Sequence, residues 1–171
     1  LDRIDWEYKN IDLRRAYFSA FTPIKGSPLE HKQKESMNRE HRLYQSDWLL
    51  RIYHYNLDDL KGILNSNGNL PKGDPKIHFA RRYFCNRKAV DPNEASYHEL
   101  LRVPGIGPIS AKRIINLKAK NFKFKRRSDL KSIGVVLKRA DPFLKINGHK
   151  QTTISKFLEQ DNQNILKGHI P

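Results

Sequence analysis

Cysteine is nearly missing from this sequence, since Cys85 is the only one. A single thiol closes no intrachain disulfide and builds no cysteine-rich metal cluster, an economy that fits an intracellular, reducing setting. Long apolar runs are missing too. No stretch approaches the roughly 18 residues that a membrane-spanning helix needs, and no secretory signal is visible. Carboxylates are scarce: 18 Asp and Glu face 33 Lys and Arg, giving a net charge of +15 and a pI near 10.0. That excess calls for a polyanionic partner, nucleic acid or an acidic membrane surface. His31, His41, His54, His78 and His98 share no metal-ligand spacing, so no metal site is expected. The chain also lacks an initiating Met and opens inside an already patterned segment. The expectation is a piece of a longer polypeptide.

What is present is organised around Leu100-Leu101-Arg102-Val103-Pro104-Gly105-Ile106-Gly107-Pro108-Ile109-Ser110-Ala111-Lys112-Arg113-Ile114-Ile115. It reads as a short helix, a tight glycine turn and a second helix, with an apolar face on each side of the turn. Pro104 ends the first helix by pushing its predecessor out of the α region. Gly105 and Gly107 are both read as free to take positive φ, and both leave the turn bare of side chains. Pro108 suits the first position of the next helix. Bare backbone N–H groups beside a helix N-terminus make an anion site, within reach of Ser110, Lys112 and Arg113. The competing reading is a plain turn between two helices, which would not require two glycines bracketed by prolines and followed by Lys112-Arg113.

Elsewhere, the β-forming run Arg15 to Thr22 reads as a strand, which must pair with something to be stable. Residues 24–37 read as a loop. A helix is expected from Met37 to Tyr55, with Leu43, Trp48, Leu49, Ile52 and Tyr53 facing the core. A short helix follows from Leu57 to Asn65, capped by Asn56, then a turn-rich linker, Asn65 to Asn69. Another helix runs from Pro75 to about Asn86, capped by Asp74. Ser96 and Glu99 have capping-box spacing and start the helix before the glycine turn. Residues 128–140 repeat the scheme of cap, Leu, Ile, Gly and Lys-Arg, so Gly134, Lys138 and Arg139 belong to a shortened second hairpin. Between Glu99 and Lys150, fourteen Lys or Arg stand against three acids.

The first hairpin resembles the helix-hairpin-helix DNA-binding motif, whose turn is similar to L-P-G-I-G-P-x-x-A. That resemblance implies phosphate contacts at Gly105, Gly107, Ser110 and Lys112. The wider candidate set is Pro104, Gly105, Ile106, Gly107, Ser110, Lys112, Arg113, Gly134, Lys138 and Arg139. Further phrases widen the resemblance: Arg14-Arg15-Ala16-Tyr17-Phe18-Ser19-Ala20-Phe21-Thr22-Pro23, Arg39-Glu40-His41-Arg42-Leu43-Tyr44-Gln45-Ser46-Asp47-Trp48-Leu49-Leu50-Arg51 and Val90-Asp91-Pro92-Asn93. With the hairpin, they look like the C-terminal half of the bacterial DNA modification/repair radical SAM proteins. The resemblance spans about residues 5–145. It implies a cytoplasmic protein acting alongside a uracil-DNA glycosylase-like partner. It also implies a [4Fe–4S] cluster and S-adenosylmethionine, but only in an N-terminal barrel with a Cys-x3-Cys-x2-Cys motif, which one cysteine cannot provide.

The expected fold is mainly α: a tandem helix-hairpin-helix domain in the C-terminal half, preceded by helices and one N-terminal strand left from a barrel. Its expected divisions are residues 1–25 (strand remnant), 26–88 (helical connector), 89–146 (tandem hairpins) and 147–171 (polar tail, with an amphipathic piece from Thr153 to Leu158). Arg39, His41, Arg42, Gln45 and Asp47 form a polar stripe that either faces a barrel mouth or is a salt-linked helix surface, with Asp47 and Arg51 as an i,i+4 pair. Trp48, Tyr53 and Phe84 read as core, and Tyr97 as helix packing in preference to base stacking. Asp129 lies where helix-hairpin-helix DNA glycosylases carry a catalytic Asp, yet it follows Lys125-Arg126-Arg127, where Ser128 or Asp129 suits a helix N-cap. The expected function is a grip on DNA phosphates with little sequence preference. The alternatives are a glycosylase or lyase using Asp129 or a lysine, and an RNA- or protein-interaction module.

Overall fold

In the computed structural model, residues 1–146 and 149–150 are described, the latter two by their backbone. The chain divides into two units, Leu1–Arg82 and Tyr83 onward.

The first unit opens on a helix where the sequence reading has none, α1 (Asp2–Asn10). None of its residues is buried. The i,i+4 pairs Arg3–Glu7 and Asp5–Lys9, each at 2.7 Å, support it, with Asp2 and Asp5 in its first turn, where negative charge favours a helix.

The strand expected over Arg15–Thr22 does not form. The backbone is extended but joins no ladder. Side chains of other elements stand in for a neighbouring strand. The Ala16 N–H donates to the Tyr8 hydroxyl at 2.9 Å, the Phe18 N–H to the Tyr44 hydroxyl at 3.1 Å, and the Ala20 N–H to Glu40 Oε2 at 2.8 Å. Tyr44 donates back to the Phe18 carbonyl at 3.0 Å. The alternate N–H groups, of Arg15, Tyr17 and Ser19, have no acceptor among the described residues.

Helix α2 (Met37–Arg51) starts at Ser36, whose hydroxyl accepts from the Arg39 N–H, and stops short of the expected Tyr55. It buries Ser46, Asp47, Leu49 and Leu50, while Trp48, expected in the core, is 50% exposed. The Arg51 guanidinium lies 5.6 Å from the Trp48 ring centre. Asn56 caps the short α3 (Leu57–Lys61), which also ends early. Asp74 starts α4 (Pro75–Phe84) by accepting the Lys76 N–H at 2.8 Å. Leu49, Leu50, Tyr55, Leu60, Phe79 and Ala80 are this unit's buried apolar residues, and the Tyr55 and Phe79 rings meet edge to face at 4.6 Å.

The second unit contains α5 (Tyr97–Arg102), α6 (Pro108–Ala119), α7 (Arg127–Ser132) and α8 (Leu137–Ala140), followed by a 3-10 turn, Asp141–Phe143. Strand β1 (Lys145–Ile146) then pairs antiparallel with β2 (His149–Lys150), Lys145 opposite Lys150 and Ile146 opposite His149. The core is fully enclosed at Leu100, Leu101, Val103, Ile106, Ile114, Phe124 and Leu130, each such side chain contributing about 1.5–3 kcal/mol. Val90 closes the unit from outside the hairpins: its N–H donates to the Phe143 carbonyl at 2.8 Å, and its carbonyl accepts from the Lys145 N–H at 2.9 Å. Apart from the β2 backbone, the polar tail and the Thr153–Leu158 piece lie outside the described residues. No described helix is long and apolar enough to cross a membrane.

Candidate nucleic-acid interface

Helix α5 begins as its capping box dictates. The Ser96 hydroxyl accepts the Glu99 N–H at 3.3 Å, and Glu99 Oε2 accepts the Ser96 N–H at 2.8 Å and its hydroxyl at 2.7 Å. The bond from the Ser96 N–H, then that from its hydroxyl, holds the Glu99 carboxyl below its ordinary range. The helix ends at Val103, which is extended (φ −82°, ψ 121°), as a residue before proline should be. Gly105 then takes φ +86°. A Cβ there would collide with the Val136 carbonyl oxygen and crowd the Arg139 Cβ at 3.1 Å, so only glycine fits. Gly107, by contrast, has φ −101° and ψ 175° and is the N-cap of α6, with Pro108 following. It needs no left-handed conformation, contrary to the sequence reading. What it contributes at the N-cap is a backbone without a side chain.

The second hairpin joins α7 to α8, with Gly134 at φ +91° in the place of Gly105. Three bonds lock the hairpins together. The Val136 N–H donates to the Gly105 carbonyl at 2.9 Å, the Ser110 hydroxyl to the Gly134 carbonyl at 2.9 Å, and Arg113 Nη1 to the Ile133 carbonyl at 3.1 Å. The first hairpin thus gives its carbonyl side to the partner turn. Its N–H side stays uncommitted: the amides of Gly105, Gly107 and Ile109 have no acceptor among the described residues. They sit at the N-terminal end of a helix of 12 residues, where backbone N–H groups and the helix dipole together attract an anion.

Residues 85–140 match the family model of the helix-hairpin-helix motif. No curated protein and no solved structure matches the chain. A helix-hairpin-helix domain is consistent with nucleic-acid binding, and the charge of +15 agrees with it.

Within this helix-hairpin-helix domain the candidate residues separate into two groups. Pro104 and Ile106 are enclosed and Ser110 is buried, so these three shape the turn from inside; the Ser110 hydroxyl, expected on phosphate, is spent on Gly134. Lys112, Arg113, Gly134, Lys138 and Arg139 are exposed. Lys112 and Lys138 have no carboxylate partner among the described residues. Ile109, 68% exposed, stands beside the open amides.

Neither Ser128 nor Asp129 is the N-cap read from the sequence for this helix, because α7 starts at Arg127 after Arg126. The Asp129 carboxylate reaches back from the first turn to the Lys125 and Arg126 N–H groups, both at 3.0 Å. The bond from Arg126, then that from Lys125, lowers its pKa.

The polar stripe of α2 does not act as one surface. Arg39 pairs with Glu35 at 2.5 Å, Arg42 donates to Gln45 at 2.6 Å, and His41 and Gln45 are exposed. Asp47 is buried, bonded to the Tyr8 hydroxyl and to Arg51 at 3.3 Å. The i,i+4 pair expected of a salt-linked helix is present.

One residue of structural weight was not singled out for its role. Asn93 clasps Phe124, accepting its N–H at 2.7 Å and donating to its carbonyl at 3.0 Å. Asp91-Pro92-Asn93 carries a turn signal, and Asp91 Oδ1 accepts the Asn93 N–H at 2.9 Å. The partner, however, lies far along the chain and leaves no local mark.

Proposed function

We propose that this chain is the DNA-binding region of a DNA modification or repair protein, gripping phosphates through the first hairpin with little sequence preference. The observation that carries this reading is the set of uncommitted amides at Gly105, Gly107 and Ile109, with exposed Lys112 one turn farther along α6. Such amides bind phosphate oxygen and carry no information about bases. Contact with about four to six duplex phosphates gives a log K against log salt slope near −4 to −5. The test is duplex binding by Lys112→Ala and Gly107→Val. Lys112→Ala should weaken unrelated sequences alike and reduce the salt slope by about one. Gly107→Val should cost more, by setting a side chain over the amides. A loss confined to one sequence would refute phosphate binding.

A parent protein of the radical SAM type rests on the resemblance of the sequence phrases. The open N–H edge at Arg15, Tyr17 and Ser19 supports it, because an extended segment with one free edge suits the end of a larger sheet. The described residues do not fit the cluster itself: Cys85, the sole thiol, is exposed and cannot replace three thiolates. A cluster, S-adenosylmethionine and a uracil-DNA glycosylase-like partner would belong to the parent. A glycosylase built on Asp129 is the weaker reading, because both amide bonds to that carboxylate serve the start of α7.

A further inference from the structure

The two hairpins match in outline but not in what they leave free. In the first, the amides of Gly105 and Gly107 have no acceptor among the described residues. In the second, the amide of Gly134 donates to the Lys131 carbonyl at 3.0 Å, and that of Val136, which occupies the place of Gly107, donates to the Gly105 carbonyl at 2.9 Å. The reciprocal bond, from the Gly107 amide to the Gly134 carbonyl, is not made; that carbonyl accepts from the Ser110 hydroxyl. The two turns are therefore joined asymmetrically, with the Gly107 amide open and that of Val136 bonded. The N-caps differ as well. Gly107 is bare, whereas Val136 carries a branched side chain that is 53% exposed. Finally, α6 has 12 residues behind its open end and α8 only four, so the second turn has little helix to orient an anion.

We infer that the domain has one phosphate seat instead of two, and that it holds a single DNA strand whether or not a second strand is paired with it. This rests on the nucleic-acid reading above and goes beyond it by naming the strand state. A double-headed grip needs a set of open amides on both turns, one for each backbone, and the second turn has spent two of its three, those of Gly134 and Val136, leaving open only that of Lys138, the counterpart of Ile109.

The experiment measures the full chain against one DNA sequence offered as a single strand and as a duplex, at matched salt. The expected result is affinities within about threefold of each other. Lys112→Ala should weaken both forms by the same factor, about three- to tenfold, while Lys138→Ala, on the second hairpin, should change either by less than about twofold. Both lysines are exposed, so neither change threatens folding, and the comparison of strand states on the unaltered protein needs no variant. A duplex preference of about tenfold or more, or a Lys138→Ala loss equal to that of Lys112→Ala, overturns the single seat and leaves DNA binding standing. Absence of salt-dependent binding to either form overturns the nucleic-acid reading, and the single seat with it.

Discussion

The hydroxyl of Ser110 donates to the carbonyl of Gly134 across 2.9 Å, tying the second helix of one hairpin to the turn of the other. Ser110 is buried and Gly134 exposed, so this bond is partly shielded from water. Removing the hydroxyl leaves the Gly134 carbonyl without that donor, at a cost of about 1–2 kcal/mol. Ser110→Ala should therefore lower the denaturant midpoint while leaving the slope of the transition unchanged, since the surface exposed on unfolding stays the same. Its effect on DNA affinity should be smaller than that of Lys112→Ala. An unaltered midpoint would show that the bond contributes nothing to the joining of the hairpins.

Gly105 and Gly134 offer a paired comparison. Both have positive φ, +86° and +91°, and alanine at either position carries the left-handed penalty of about 1–2 kcal/mol. Their surroundings differ. A Cβ on Gly134 would meet only side-chain ends, Ser110 Oγ at 3.3 Å and Arg113 Nη1 at 3.4 Å, whereas one on Gly105 collides with the Val136 backbone oxygen. Gly105→Ala should be the more destabilising by at least about 1 kcal/mol, the cost of overpacking where the neighbour cannot yield. Equal midpoints in thermal unfolding would mean that the hairpins can separate at no cost.

In the first unit, Tyr8 connects three elements. Its hydroxyl accepts the Ala16 N–H at 2.9 Å and bonds the buried Asp47 carboxylate. Desolvation first, and the Asp47 contact second, raise its pKa, so it stays a donor at neutral pH. Tyr8→Phe removes both bonds and leaves Asp47 with Arg51. The expected loss is about 1–3 kcal/mol, with faster amide exchange at Ala16 and unchanged exchange at Ala20, which is held by Glu40. Exchange that speeds up equally at both would show the extended segment to be released as one piece.

How much of this was legible beforehand depended on whether the physics is local. Pro104, Gly105 and Pro108 carry their own conformational constraints, and Ser96 and Glu99 sit one turn apart, so the first hairpin could be read from adjacent residues. The Gly107 conformation could not, because an N-cap glycine and a left-handed glycine look alike in sequence. Arg15–Thr22 is dense in β-forming residues, and its Ala16, Phe18 and Ala20 N–H groups are indeed satisfied along one edge, but by Tyr8, Tyr44 and Glu40. Residue type reports a preference for extended backbone and says nothing of what lies alongside. Helix α1 escaped notice because it depends on Arg3–Glu7 and Asp5–Lys9 pairs in place of a buried stripe. The bonds of Ser110 and Asn93 are tertiary, and residue type alone suggested phosphate for one and a turn for the other.

Acid should loosen both hairpins through the carboxylates in their first turns. Glu99 is held below its ordinary value of 4.5 by the Ser96 N–H and hydroxyl, and Asp129 below its ordinary 3.8 by the Arg126 and Lys125 N–H groups. A carboxyl whose pKa is lower in the folded chain than in the unfolded one stabilises the fold at pH above the unfolded value. That contribution is lost as the pH falls through the folded value. The window therefore begins near 4.5 for Glu99 and 3.8 for Asp129 and extends downward. Glu99→Gln and Asp129→Asn keep a carbonyl acceptor but cannot titrate. The double variant should be less stable than the natural chain at neutral pH, and its denaturant midpoint should fall less steeply as the pH drops below about 4.5. Two parallel profiles across that range would assign the acid sensitivity to other carboxylates, and would mean that neither cap binds its proton differently in the folded and unfolded chains.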